Sequence, residues 1–238
     1  MNYKKFVRLY SNSRVLRYYK AAGRRVKKTM LLYYGNQKIA QAFHPLLGTV
    51  EVILRNQLNH ALTKHFSDPS WIINQKSGFM VAPSLTYVDP RTKKTKHNYY
   101  ILKEVQSAED KLKKTKATIT PGRIIAEQSF GFWTCLYDKV HYTILKGAPG
   151  TIFTNMPTGY GRKDVANALT SIRGLRNRIN HNEPICFDKN KCDFTYAREM
   201  YHIIIDLLSW IHPQIPSSLK TLDSVLSVID DEEEKQRI

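Results

Sequence analysis

A chain of 238 residues, 42% apolar and 24% charged, has the size and composition of one well-buried globular domain and is too short for two full ones. Thirty-seven Lys and Arg face 20 Asp and Glu, giving a formal net charge of +17. A membrane span is excluded on sequence grounds, because the most apolar run, His202 to Ile211, is short and carries Asp206.

Helical periodicity prevails along the chain. Ser13 is expected to cap a first helix through Lys20 that ends near Gly23, and a second basic helix should follow to about Tyr34. Asn36 to Phe43 continues helically to Pro45, which suits the first turn of a new helix better than the middle of an old one. That new helix carries Leu46, Val50, Ile53, Leu54, Leu58 and Leu62 on one side and should last to about Phe66. Asp68-Pro69 breaks the pattern. Residues 67–98, with Gly78, Pro83 and Pro90, read as a loop-rich insert with a short hairpin around Phe79 to Val88. A charged helix, roughly Tyr99 to Lys114, comes next. Thr120-Pro121 is a cap-and-first-turn signal for one aromatic helix reaching about Lys146. Asp164 starts a helix whose Val165, Leu169, Ile172, Leu175 and Ile179 form a stripe, and Pro184 should end it, since the residue before proline is pushed out of helical geometry. Helices at about Thr195 to Ile211 and Pro216 to Ile229 lead into an acidic tail, about 230–238, either disordered or covering the basic surface. The expected fold class is all-α, as a single domain over 1–238.

Charge is distributed unevenly. Eleven basic residues lie between Met1 and Val50, and the first carboxylate is Glu51. A field this positive attracts polyanions, and phosphate contacts add affinity through counterion release. Nucleic acid is therefore the expected partner, ahead of a merely solvated basic surface, and Arg14, Arg17, Arg24, Arg25, Lys27, Lys28 and Arg178 are the candidate contacts to RNA phosphates if the chemistry below is RNA cleavage. The N-terminus lacks the apolar core of a signal peptide, and Cys135, Cys186 and Cys192 are an odd number without paired short spacing. Reduced thiols in a cytoplasmic protein are expected, with no zinc site and no cofactor. In the pairs Tyr18-Tyr19, Tyr33-Tyr34 and Tyr99-Tyr100, one member should be core and the other a half-exposed edge.

The run Arg176-Asn177-Arg178-Ile179-Asn180-His181 carries the chemistry. A histidine can take the proton of a ribose 2′-hydroxyl, or give one to the leaving 5′ oxygen, near neutral pH. Arginine stays charged and can stabilise the charge developing on the phosphoryl oxygens, and Asn177 can hold the imidazole or a phosphate oxygen. No metal is then required. Five residues separate Arg176 from His181, about 140° around an ideal helix and about 7.5 Å along it. The two can meet if the last turn opens, or if a second copy of the motif, most simply across a two-fold dimer, supplies the other half. Arg55-Asn56 with His60 repeats the spacing and reads as coincidence. No Gly-rich phosphate loop and no convincing helix-turn-helix is present.

Gly174 through Ile185 resembles the signature of the Abi-like family, abortive-infection proteins of bacteria, which reads RNRIAHHEPI or close to it. Asn180 stands where the family usually has Ala, and Asn182 where a second His is common. Ser129-Phe130-Gly131-Phe132-Trp133 resembles the family's SFGFW segment, Glu51 to Asn56 its E-x-x-LRN helix, and Ser13, Arg14 and Tyr18 match its early part more loosely. The resemblance implies a HEPN-like helical bundle, a metal-independent ribonuclease that dimerises, and a catalytic set of Arg176, Asn177 and His181 supported by Glu51 and Arg55. For Glu51 an ion pair with Arg55, one turn later, is an equal alternative. A toxic activity also implies a restraint, such as an inhibitory protein or a bound small RNA. A non-catalytic RNA-binding module is the alternative function.

Overall fold

Regular structure in the computed structural model, which describes residues 1–237, consists of twelve α-helices, four short 3-10 turns and two small antiparallel hairpins. The helices are α1 (Tyr3–Tyr10), α2 (Asn12–Ala21), α3 (Val26–Phe66), α4 (Trp71–Asn74), α5 (Tyr100–Lys114), α6 (Pro121–Glu127), α7 (Phe130–Cys135), α8 (Lys139–Ile144), α9 (Arg162–Asn180), α10 (Thr195–Ile211), α11 (Gln214–Ser218) and α12 (Val225–Arg237). The hairpins are β1 (Thr86–Val88) with β2 (Thr95–His97), and β3 (Phe187–Asp188) with β4 (Lys191–Cys192). The fold is all-α. The chain divides into two compact units, one of residues 1–50, 171–209 and 213 onward, the other of residues 51–170 and 210–212.

In the first unit an aromatic cluster joins α1, α2 and the start of α3. Phe6 meets Tyr33 edge-on at 5.3 Å between ring centroids, and Tyr18 meets Tyr33 at 5.0 Å and Phe187 at 5.1 Å. Tyr18 and Tyr33 are buried while Tyr19 and Tyr34 keep exposed edges, the division expected for those pairs, whereas in Tyr99-Tyr100 neither ring is core. The apolar positions Ile172, Leu175 and Ile179 of α9 are buried, as are Ile204, Leu207 and Leu208 of α10. The acidic stretch is not disordered, because α12 is a packed helix with Val225 and Ile229 inward, and it covers basic side chains as the alternative expected, its carboxylates pairing with Lys38 and Arg198. Glu232, only 3% exposed, takes Lys38 at 2.9 Å and Lys235 at 2.8 Å. Gly35 makes room for it: a Cβ there would stand 2.8 Å from the Glu232 carboxylate. Ile238, the end of the expected tail, lies outside the described residues.

In the second unit Leu54, Leu58 and Leu62 line the buried side of α3. The insert is more ordered than its composition implied. Trp71, Ile72, Phe79, Met80 and Leu85 are buried, the Trp71 indole N–H donates to Asn59 Oδ1 at 2.9 Å, and the Phe66 and Phe79 rings stack at 5.6 Å. Its hairpin joins Thr86–Val88 to Thr95–His97, further along than Phe79 to Val88, because three 3-10 turns occupy the earlier residues. Gly131 fits α7 closely to α5, where a Cβ would lie 2.9 Å from the Tyr100 hydroxyl.

Several boundaries differ from expectation, among them the helix expected over about Pro216 to Ile229, which is two, α11 and α12, parted by the turn at 219–224. Ser11, not Ser13, caps α2, its Oγ accepting the Arg14 N–H at 3.4 Å. Pro45 starts no helix; α3 runs through it for 41 residues. Pro45 and Gln41 both face solvent, so water can satisfy the Gln41 carbonyl that the proline leaves without an N–H, while Phe43, Leu46 and Val50 stay buried. The single helix from Thr120 to Lys146 is three, since Gln128 is extended and Ser129 caps α7 by accepting the Phe132 N–H at 3.3 Å, and Asp138 then begins α8.

Candidate functional site

Helix α9 does not open before His181. The His181 N–H still reaches the Asn177 carbonyl at 3.0 Å, and the chain then closes in a Schellman motif: Asn182 N–H to Ile179 O at 3.0 Å and Glu183 N–H to Arg178 O at 2.7 Å. His181 is the C-cap. Asn182 takes the left-handed position with φ 51°, and asparagine is the residue after glycine that tolerates it best. The departure from the second family histidine at 182 thus has a conformational use.

The turn after His181 is latched by three side chains from distant parts of the chain. Arg14 on α2 places Nη1 at 2.6 Å from Asn182 O and 3.5 Å from His181 O, a cation on the negative end of α9. Asn36 on α3, fully buried, accepts the Ile185 N–H on Oδ1 at 2.7 Å and donates Nδ2 to Glu183 O at 3.3 Å. Pro184, between them, has no N–H to satisfy. Arg178 donates Nη2 to Pro184 O at 2.9 Å, lies 4.9 Å over the Tyr196 ring, and approaches Glu183 at 3.9 Å. Every carbonyl from His181 to Pro184 therefore accepts from a side chain. The imidazole itself stays exposed on this fixed turn.

The expected site residues fall as follows. Arg176 is half-buried and Asn177 exposed on α9, in the first unit with His181. Glu51 and Arg55 are half-buried, one turn apart on α3, in the second unit, as is exposed His60. Of the expected phosphate contacts, Arg17, Arg24, Arg25 and Lys27 are exposed. Arg14 and Arg178 are engaged in the latch, and Lys28 donates to Gln236 O at 2.7 Å at the end of α12. Asn36 was not anticipated. Its signal was a polar residue at core spacing between Leu32 and Tyr33 before it and Ile39 and Ala40 after it, all buried.

One group of described residues has metal-ligand geometry, and it includes no residue of the 176–181 motif. In the second unit Cys135, Asp138 and His141 bring their ligand atoms within 4.8 Å of one another, with Cys135 Sγ at 3.4 Å from both Asp138 Oδ2 and His141 Nδ1. Burial depresses the His141 pKa and keeps the ring neutral. The cysteines are free; burial pushes the Cys186 thiol up, and that of Cys192 to about 11. No helix among the described residues is long and apolar enough to cross a membrane.

A family model described as Abi-like protein matches residues 1–186, a stretch that contains the latch residues Arg14, Asn36 and Arg178 as well as His181. The chain belongs to the Abi-like family. No curated protein and no solved structure matches it. The family match ends at Cys186, directly after the last latch contact at Ile185, and leaves α10, α11 and α12 outside it.

Proposed function

We propose that this protein is a metal-independent endoribonuclease of the HEPN type that acts as an abortive-infection toxin. The observation that carries the reading is the latched turn: three side chains fix the backbone around an otherwise exposed histidine, in a family tied by its name to abortive infection. The chemistry follows from RNA itself. An imidazole takes the 2′-hydroxyl proton, the 2′ oxygen forms its bond to phosphorus, the bond to the 5′ oxygen breaks, and an acid returns a proton to that oxygen. The products are a 2′,3′-cyclic phosphate and a 5′-hydroxyl. Arg176 stabilises the charge on the phosphoryl oxygens, and Asn177 orients the imidazole or the phosphate.

Because α9 stays closed through His181, Arg176 and His181 leave the axis about 140° apart. The reading therefore requires a homodimer in which two motifs face each other, one His181 as base and the other as acid. Inhibition by a partner protein or a bound small RNA would restrain the activity between infections. The same closure favours a second reading, an RNA-binding module without cleavage, in which the two groups grip separate phosphates. Incubation of the parent protein and its His181→Ala variant with mixed RNA in EDTA, followed by end-group analysis, separates the two. Cleavage by the parent alone, with cyclic phosphate ends, supports the nuclease; binding without cleavage supports the module.

A further inference from the structure

We propose that the cleft between the start of α2 and the turn after His181 is a nucleotide subsite, seating the phosphodiester next to the scissile one; this rests on the reading of His181 as a ribonuclease residue. The cleft, about 330 Å³, is walled by Ser11, Ser13, Arg14, Arg17, Tyr18 and Glu183, together with the residues beside Glu183. Asn182, in its wall, follows His181 directly, their Cα atoms about 3.8 Å apart, so the cleft opens beside the turn that carries the imidazole.

The wall has the chemistry of a diester site. Arg14 is spent on the Asn182 carbonyl and serves as structure, whereas Arg17 is exposed and forms no ion pair among the described residues. The Ser11 and Ser13 hydroxyls lie 3.3 Å apart at the positive end of α2, whose first turn has no acidic residue. A second, independent feature points to a ligand. Tyr18 is 1% exposed, yet its hydroxyl has no hydrogen-bond partner, an uncommon state for a buried polar group beside a cleft. Glu183 is the one carboxylate in the wall, and it is drawn toward Arg178 at 3.9 Å. One guanidinium without an ion pair, lying 5.9 Å over the Phe187 ring, against one carboxylate suits the single charge of a phosphodiester, with serine hydroxyls for its ribose, better than a dianionic free phosphate.

The test uses the full-length His181→Ala protein and a mixed-sequence tri-ribonucleotide, with binding measured by calorimetry at several salt concentrations, with and without Arg17→Ala. The subsite predicts at least about fivefold weaker binding for the Arg17 variant and a salt slope smaller by about 0.7, one phosphate contact on a single strand. Unchanged affinity and slope would overturn it, and so would inorganic phosphate binding as tightly as the trinucleotide. Failure of the nuclease reading looks different: the parent protein would not cut RNA, while the Arg17 effect on binding would persist.

Discussion

Replacing Asn36 by alanine should unfasten the turn that carries His181. The Ile185 N–H, bonded to Asn36 Oδ1 at 2.7 Å in a buried setting, would be left without an acceptor, at a cost of about 1–3 kcal/mol. The Glu183 carbonyl, bonded at 3.3 Å and only partly buried, can be rehydrated, so its loss adds about 0.5–1.5 kcal/mol. The sum, about 1.5–4.5 kcal/mol, is large against the total stability of a natural domain. Urea unfolding followed by far-ultraviolet circular dichroism should show a lower midpoint at an unchanged slope. Asn177→Ala, at an exposed position, is the control: it should stay within about 0.5 kcal/mol of the parent while losing cleavage. A cost below about 0.5 kcal/mol for Asn36→Ala would refute the argument that this amide holds the turn.

Arg14→Ala removes the cation from the end of α9 and should cost about 1 kcal/mol, with cleavage lost mainly in kcat rather than KM because the imidazole is misplaced rather than removed; an effect confined to KM would assign Arg14 to substrate binding instead. Pro45→Ala restores an N–H to the middle of α3 and should raise the unfolding free energy by about 1–2 kcal/mol, after allowance for the stiffer unfolded chain of the proline form, read as a higher urea midpoint; a lower midpoint would show that the proline bend is used in packing. Acid should loosen α12. Hydrogen bonds from Arg198 hold the Glu233 carboxyl below its usual 4.5, and for Glu232 burial opposes ionisation but the Lys235 and Lys38 ammonium groups outweigh it. Folded values below unfolded ones mean a contribution fully present above about pH 4.5 and lost as pH falls through the lowered values. Hydrogen exchange should therefore show α12 opening before α9 as the pH is lowered below about 4.5, and equal protection of both would contradict this.

Apolar spacing carried much of the fold. The limits Thr195 to Ile211 were readable to the residue, because the α10 stripe is uninterrupted and nothing competes with it. The stripe of α9 was readable for the same reason, and all five of its positions are buried. Proline misled at position 45, since its local rule ignores which face it occupies; on the solvent face the lost hydrogen bond is replaced by water, and the helix continues. The break before α7 was underweighted at Ser129, whose hydroxyl takes the Phe132 N–H, and that before α8 at Asp138, whose backbone leaves helical geometry without a side-chain cap bond; together they divide a continuous apolar run into α6, α7 and α8. At the candidate site, the motif itself stood out, but its supports did not. Arg14 and Asn36 act on backbone carbonyls and an N–H more than 140 residues away, and no local pattern encodes such a contact. The basic count likewise overstated the free positive surface, since Arg14, Arg178 and Lys28 spend their charge on helix ends and turns.

One measurement bears on the central claim more directly than any other: the 3′ ends of RNA after exposure to the purified protein in EDTA. Terminal 2′,3′-cyclic phosphates produced by the parent, and absent with His181→Ala at equal folded concentration, are the predicted result. Equal cutting by both proteins, or cutting only after a divalent metal is added, would contradict it.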